Sequence, residues 1–208
     1  MIKLRGKTMV KLNRLAGFLA ILAISIGLAA CKQNKQNELK DPRDGKTYRT
    51  VEIGKQVWMA ENLNYEMDGS YCYDNEATNC QKYGRLYTWA AAMQACPAGW
   101  HLPNNAEWKT LFKTVGSTSV AGKNLKSESG WDGNGNGTDE YGFSVLPAGS
   151  RNGVGLYGYA GEDAIFWSST EGRSGGHAYH CYFHYVNENV HSILLTKEFG
   201  FSVRCLRD

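Results

Sequence analysis

The 208-residue sequence has no His-Glu-X-X-His pair and no glycine-rich phosphate loop, so the commonest routes to a zinc hydrolase or a nucleotide-binding enzyme are missing. No motif fixes two carboxylates at a spacing suited to acid–base work. There is no run of about 20 apolar residues, the length a membrane-spanning helix needs. The longest run, Leu15–Ala30, is shorter and is interrupted by Gly17 and Gly27. The first 30 residues contain no acid, but five bases (Lys3, Arg5, Lys7, Lys11 and Arg14). Without them 18 basic residues face 20 acidic ones, and the formal charge of +3 becomes −2. A near-neutral body argues against nucleic-acid binding, which requires a basic surface. What the chain does hold is 24 Gly, 6 Trp and 12 Tyr. With 178 residues after Ala30, that suits one loop-rich globular core.

The basic stretch followed by LAGFLAILAISIGLAA has the layout of a secretory signal peptide. It ends in Leu28-Ala29-Ala30-Cys31, which resembles the bacterial lipobox. That resemblance implies cleavage before Cys31, diacylation of its sulfur and acylation of the new amino group. One acyl chain alone gives only marginal membrane binding. Met9 is an alternative start. From Lys32 to Arg43 (KQNKQNELKDPR) the chain is polar without apolar periodicity, and reads as a tether. The expected organisation is a signal peptide over 1–30, lipidated Cys31 with its tether over 31–43, and one domain over 44–208. The expected place is the cell envelope, with the lipid as membrane partner. Lys32 rather than Asp follows the anchor, which by resemblance to enterobacterial sorting favours the outer membrane or cell surface.

Within the body, Thr47–Ile53 and Gln56–Ala60 flank Gly54-Lys55 and predict a hairpin. Asn62–Asn79 reads as an irregular loop. Arg85–Cys96 (RLYTWAAAMQAC) has helical composition and stops before Pro97. Asn104 can cap a second helix, with Glu107 as capping-box partner. Trp108, Leu111, Phe112 and Val115 then form one apolar stripe. Ile165–Thr170, Ala178–Val186, Val190–Thr196 and Phe201–Leu206 read as strands. Two early helices and late antiparallel strands predict an α+β domain.

Several segments resemble, in order, the Fibrobacter succinogenes major paralogous domain. They are Trp58-Met-Ala-Glu-Asn-Leu-Asn64, Tyr83-Gly-Arg-Leu-Tyr-Thr-Trp89, Cys96-Pro-Ala-Gly-Trp-His-Leu-Pro103, Gly137-Thr-Asp-Glu-Tyr-Gly-Phe143, Phe166-Trp-Ser-Ser169 and Gly200-Phe-Ser-Val-Arg-Cys205. That family is found on secreted bacterial proteins, often lipoproteins, and has no established activity. It in turn resembles the C-type lectin-like fold, and His101–Trp108 resembles a segment of formylglycine-generating enzymes, which use a related fold.

Six cysteines in an exported chain point to disulfides. With Cys31 lipidated, five remain and one is left over. Cys72 and Cys80 flank a polar loop and can close it locally. The lectin-like resemblance implies a long bridge from Cys96 to Cys205. Cys181 is then a buried free thiol, with pairing to Cys205 as the competing arrangement. Sugar-binding C-type lectins hold calcium with Glu-Pro-Asn or Gln-Pro-Asp, and none of Pro42, Pro97, Pro103 and Pro147 stands in such a triplet. Formylglycine-generating enzymes need two reactive cysteines near the C terminus. Only Cys181 and Cys205 lie there, and Cys205 is wanted for structure.

His177, His180, His184 and His191 alternate with aromatics and more readily stand in for strand aromatics than hold zinc. Asp132-Gly-Asn134-Gly-Asn136-Gly137 opens like a calcium loop, but Phe143 stands where an EF-hand needs glutamate. No cofactor is therefore expected, with calcium as the one candidate. The expected ligand surface is Gly130–Gly161, with Trp131 as an exposed stacking face. Asp132, Asn134, Asn136, Asp139, Arg151, Asn152 and Tyr157 would supply polar contacts there. The function expected is a non-catalytic, lipid-anchored binding or adhesion module for a glycan or surface protein. An enzyme of the formylglycine-generating kind and a purely structural envelope protein are the rivals.

Overall fold

The computed structural model describes residues 38–173 and 175–208. The leader, Cys31 and the start of the tether lie outside the described residues, as does Ser174. The chain forms strands β1 (Glu38–Lys40), β2 (Thr47–Ile53) and β3 (Gln56–Met59), then β4 (Ser70–Tyr71), helix α1 (Ala77–Tyr83), β5 (Leu86–Tyr87) and α2 (Trp89–Ala95). After β6 (Trp100–His101) come α3 (Asn105–Thr114) and α4 (Ala121–Leu125). The C-terminal half supplies β7 (Ala148–Arg151), β8 (Tyr157–Ala160), β9 (Asp163–Glu171), β10 (His177–His184), β11 (Val190–Thr196) and β12 (Leu206–Arg207). One sheet has the order β1-β2-β3-β12-β6, the other β11-β10-β9-β7-β8, and β4-β5 form a small ribbon. The class is α+β.

The expected hairpin is β2–β3, with Ile53 opposite Gln56 and Gly54 at φ 65°, the left-handed conformation such a tight turn needs. β12 inserts between β3 and β6, so the first and last strands share one sheet. β1 lies inside the stretch that reads as tether, pairing Leu39 with Tyr48. Behind it Asp41 is fully buried, and Arg43 donates both to its carboxylate and to the Ala95 carbonyl. The folded body therefore begins at or before Glu38.

β9 runs through the middle of the second sheet and is buried on both faces. Ala164 and Phe166 pack with Trp58, Trp108, Phe112 and Phe143, while Ile165 and Trp167 pack with Tyr87, Ala91, Ala92 and Phe201. Side chains alternate along a strand, so a strand covered on both sides reads as a continuous apolar run.

α3 matches its expectation. Asn104 Oδ1 accepts from the amides of Ala106 and Glu107, and Glu107 Oε2 accepts from the Asn104 amide, a complete capping box. Trp108, Leu111, Phe112 and Val115 are all buried. The other helix expectations need correction. α2 covers only Trp89–Ala95, because Leu86 and Tyr87 pair with β4 and Thr88 caps the helix. α1, inside and beyond the expected loop, is too short and polar (ATNCQKY) to show periodicity. There are four helices among the described residues, not two. The expected strand Phe201–Leu206 is a strand only at its end. Before that the chain steps between sheets through single bridges, Phe201 to Tyr87 and Ser202 to Phe166.

Cys72–Cys80 and Cys96–Cys205 are disulfides, and Cys181 is a fully buried free thiol. No helix among the described residues is long and apolar enough to cross a membrane.

Candidate binding cleft and the Gly130 to Gly161 segment

The ordered motifs of the sequence meet at one buried point. Arg204 is fully buried, yet no carboxylate pairs with it among the described residues. Its Nε donates to Asn62 Oδ1 at 2.7 Å, its Nη1 to the carbonyls of Met59 and Phe143, and its Nη2 to the Ser144 carbonyl at 2.8 Å. The Phe143 ring lies 4.7 Å from the guanidinium. Asn62 Nδ2 donates in turn to the Tyr83 carbonyl at 2.8 Å and to Ser202 Oγ at 3.3 Å. Gly84, at φ 75°, passes so close that a Cβ there would sit 2.7 Å from the Asn62 Cβ. Desolvation pulls the Arg204 pKa down to about 9, so it stays cationic at neutral pH.

Above this point opens a cleft of about 550 Å³. Its walls come from β2 and the Ala60–Asn64 turn, from the end of α1 with Gln81–Gly84, from Ser127–Ser129, and from Asp139 with Ser144. Lys46, Arg49 and Lys82 are balanced by Glu61, Glu128 and Asp139. Much of the lining is fixed. Glu61 accepts from the Arg49 amide and Nε. Asp139 and Ser144 both hold left-handed backbone (φ 43° and 52°), and the Asp139 carboxylate accepts from the Ser144 amide and hydroxyl. Non-glycine residues in such backbone cost about 1–3 kcal/mol each, which points to a constrained site. Tyr48 is buried below the rim, its pKa pushed up to about 12 by burial, and its hydroxyl oxygen accepts from the Asn64 amide.

The segment from Gly130 to Gly161 departs from the sequence expectation at its central residue. Trp131 is 5% exposed, not a free stacking face. Its Nε1 donates to Ser127 Oγ and the Val145 carbonyl, and Lys126 Nζ lies 4.9 Å from its ring. Lys126 is itself buried and donates to the carbonyls of His184, Tyr185 and Asn187. Burial lowers its pKa. The 3₁₀ turn Asp132–Asn134 leaves Asp132 and Asn134 exposed, while Asn136 Oδ1 accepts from the Trp131 amide. Gly133 and Gly135 fit against Tyr185, and Gly161 against the Asp132 carboxylate. Asp139 lies in the cleft instead. Arg151 and Tyr157 form another group, beside Tyr71 and Tyr73, with Asn152 capping the β7–β8 turn. The expected residues are thus spread over three neighbourhoods, and the cleft walls come from segments too far apart in sequence to announce themselves.

The histidines also separate. His180 is buried edge-on to Trp167 and beside Phe201, its Nδ1 without a partner, and desolvation lowers its pKa to about 4. His184 lies 3.9 Å from Asp163, whose carboxylate accepts from the Tyr182 hydroxyl. Burial raises the Asp163 pKa, and Tyr182 and His184 partly offset that. No group of three or more His, Cys, Asp or Glu side chains among the described residues is placed to hold a metal. Gly172-Arg-Ser-Gly-Gly176 spells Gly-X-Ser-X-Gly, but it joins antiparallel strands β9 and β10. A nucleophile elbow joins a strand to a helix. Cys181 is fully buried, which pushes its thiol pKa well up and leaves it unreactive.

A family model described as Fibrobacter succinogenes major domain matches residues 51–207. No curated protein and no solved structure matches the chain.

Proposed function

The chain belongs to the Fibrobacter succinogenes major domain family, and from that premise we propose that it is a lipid-anchored, non-catalytic binding module of the cell envelope. Its ligand is a neutral, hydroxyl-rich molecule of the carbohydrate class, held in the cleft above Arg204. The observation that carries this reading is the charge-balanced polar lining on a rigid floor. Three bases and three acids leave no net field to select an ion, while their fixed oxygens and nitrogens suit hydroxyl groups. A C-type lectin-like architecture is part of the proposal, supported by the terminal strands sharing a sheet and by Cys96–Cys205 closing it. The state of the cysteines supports the non-catalytic side: Cys205 is spent in a disulfide and Cys181 is buried. Lys126 places a cation among turn carbonyls, which supports a loop that holds its shape without calcium.

The test is a glycan array probed with the full chain in detergent, with and without calcium. Specific neutral-glycan signals that calcium does not change, and that Lys82→Glu with Glu128→Lys abolishes, are expected. A blank array would leave the structural-protein reading standing in its place, and signals indifferent to the pair would put the site outside the cleft.

A further inference from the structure

Arg151 stands apart from the other arginines that are buried or half-buried. Arg49 and Arg85 face Glu61 and Glu66, and Arg204 donates to Asn62 and to carbonyls. Arg151 pairs with no carboxylate among the described residues. Its Nε is buried without a partner, and Nη1 reaches only the Asn152 carbonyl at 3.5 Å. Neither Asp74 on the neighbouring 3₁₀ turn nor Glu198 beside Gly153 forms an ion pair with it. The guanidinium is nonetheless held in place. It lies 3.9 Å from the Tyr71 ring centroid and 6.0 Å from that of Tyr157. Tyr157 packs on Tyr73 at 5.4 Å and donates its hydroxyl to Asn75 Oδ1 at 2.7 Å. Gly155 leaves the outer edge open, since a Cβ there would sit 3.0 Å from Nη2. On the other side the Cys72–Cys80 disulfide spans a turn in which Asp74 and Asn75 both take left-handed backbone (φ 54° and 59°).

A planar cation with unspent fork donors, pre-oriented by stacking, matches a carboxylate. Tyr157, half-buried beside the guanidinium, offers an aromatic face for a sugar ring. We propose that Arg151 and its surrounding tyrosines form a second binding site, separate from the cleft, for the carboxylate-bearing sugar of an acidic glycan. The Arg151 Nη atoms take the carboxylate, Tyr157 takes the ring face, and Asn75 takes hydroxyls.

The experiment is calorimetric titration of the full chain in detergent with trigalacturonate, its methyl ester, acetate and an acidic hexapeptide. Trigalacturonate should bind at least ten-fold more tightly than each of the other three. Arg151→Lys, which keeps the charge but loses the fork, should lose ten-fold or more, as should Tyr157→Ala. The cleft pair Lys82→Glu with Glu128→Lys should leave this binding unchanged, which separates the failure of either site from that of the other. Equal binding of acid and ester, equal binding of the peptide, or full affinity in Arg151→Lys would overturn the proposal. Comparing acid with ester on the native chain needs no variant to fold.

Discussion

At the scale of single residues, buried polar groups decide more than surface charges do. Arg204→Met would strand Asn62 Oδ1 and three carbonyls in the core. Leaving several buried acceptors unsatisfied should cost about 3–5 kcal/mol, read as a fall in the urea midpoint with an unchanged m-value. Two histidines contribute to the pH response with opposite signs. His101 gains from Asp208 Oδ1 at 2.6 Å and Glu107 Oε1 at 3.0 Å. Burial opposes protonation there, but these partners outweigh it and raise the pKa. Its contribution is therefore full below the unfolded value near 6.5 and fades as pH rises through the folded value, and solvent screening keeps it small. His180 does the reverse: its pKa is depressed to about 4, so stability present above 6.5 is lost as pH falls toward 4. A gap of that size corresponds to about 3 kcal/mol. The buried group should win, giving net loss of stability between pH 6.5 and 4. His180→Phe should flatten that part of a stability-against-pH curve, and an undiminished slope would contradict the assignment.

At the scale of elements, what the sequence revealed follows from how each element is buried. α3 was legible because one face is apolar and one wet, and because its capping box is written in Asn104 and Glu107. α1 was not, because a disulfide rather than an apolar stripe holds it. Trp131 misleads for a related reason: Gly and Asn around it read as a loop, and nothing local shows that the loop folds its indole back onto Ser127 and Val145. The cleft was legible only at Asp139, since its floor joins residues as distant as Asn62 and Arg204. The two disulfides should differ in weight. Breaking Cys96–Cys205, with a separation of 109 residues, should cost about 4–5 kcal/mol by the loop-entropy argument, and Cys72–Cys80, with a separation of 8, about 2–3. Thermal melts of the Cys→Ala pairs would check the order, and a larger loss from the short loop would contradict it.

At the scale of the whole molecule, the folded body reaching back to Glu38 leaves only residues 32–37 between β1 and the proposed lipid on Cys31. Even fully extended, six residues span at most about 22 Å, so a lipid on Cys31 would hold the body close to the membrane surface. Cys31→Ala should abolish labelling by a radioactive fatty acid and leave a slower-migrating precursor. Normal processing of that variant would contradict the anchor. The central claim, that the cleft above Arg204 is where a ligand sits, is tested most directly by hydrogen–deuterium exchange with a neutral glycan that binds. Added protection should fall on 46–49, 60–64, 81–84 and 127–129, with little change at 71–75 and 151–157. Protection confined to the latter two segments, or to the Asp132–Asn136 loop, would contradict it.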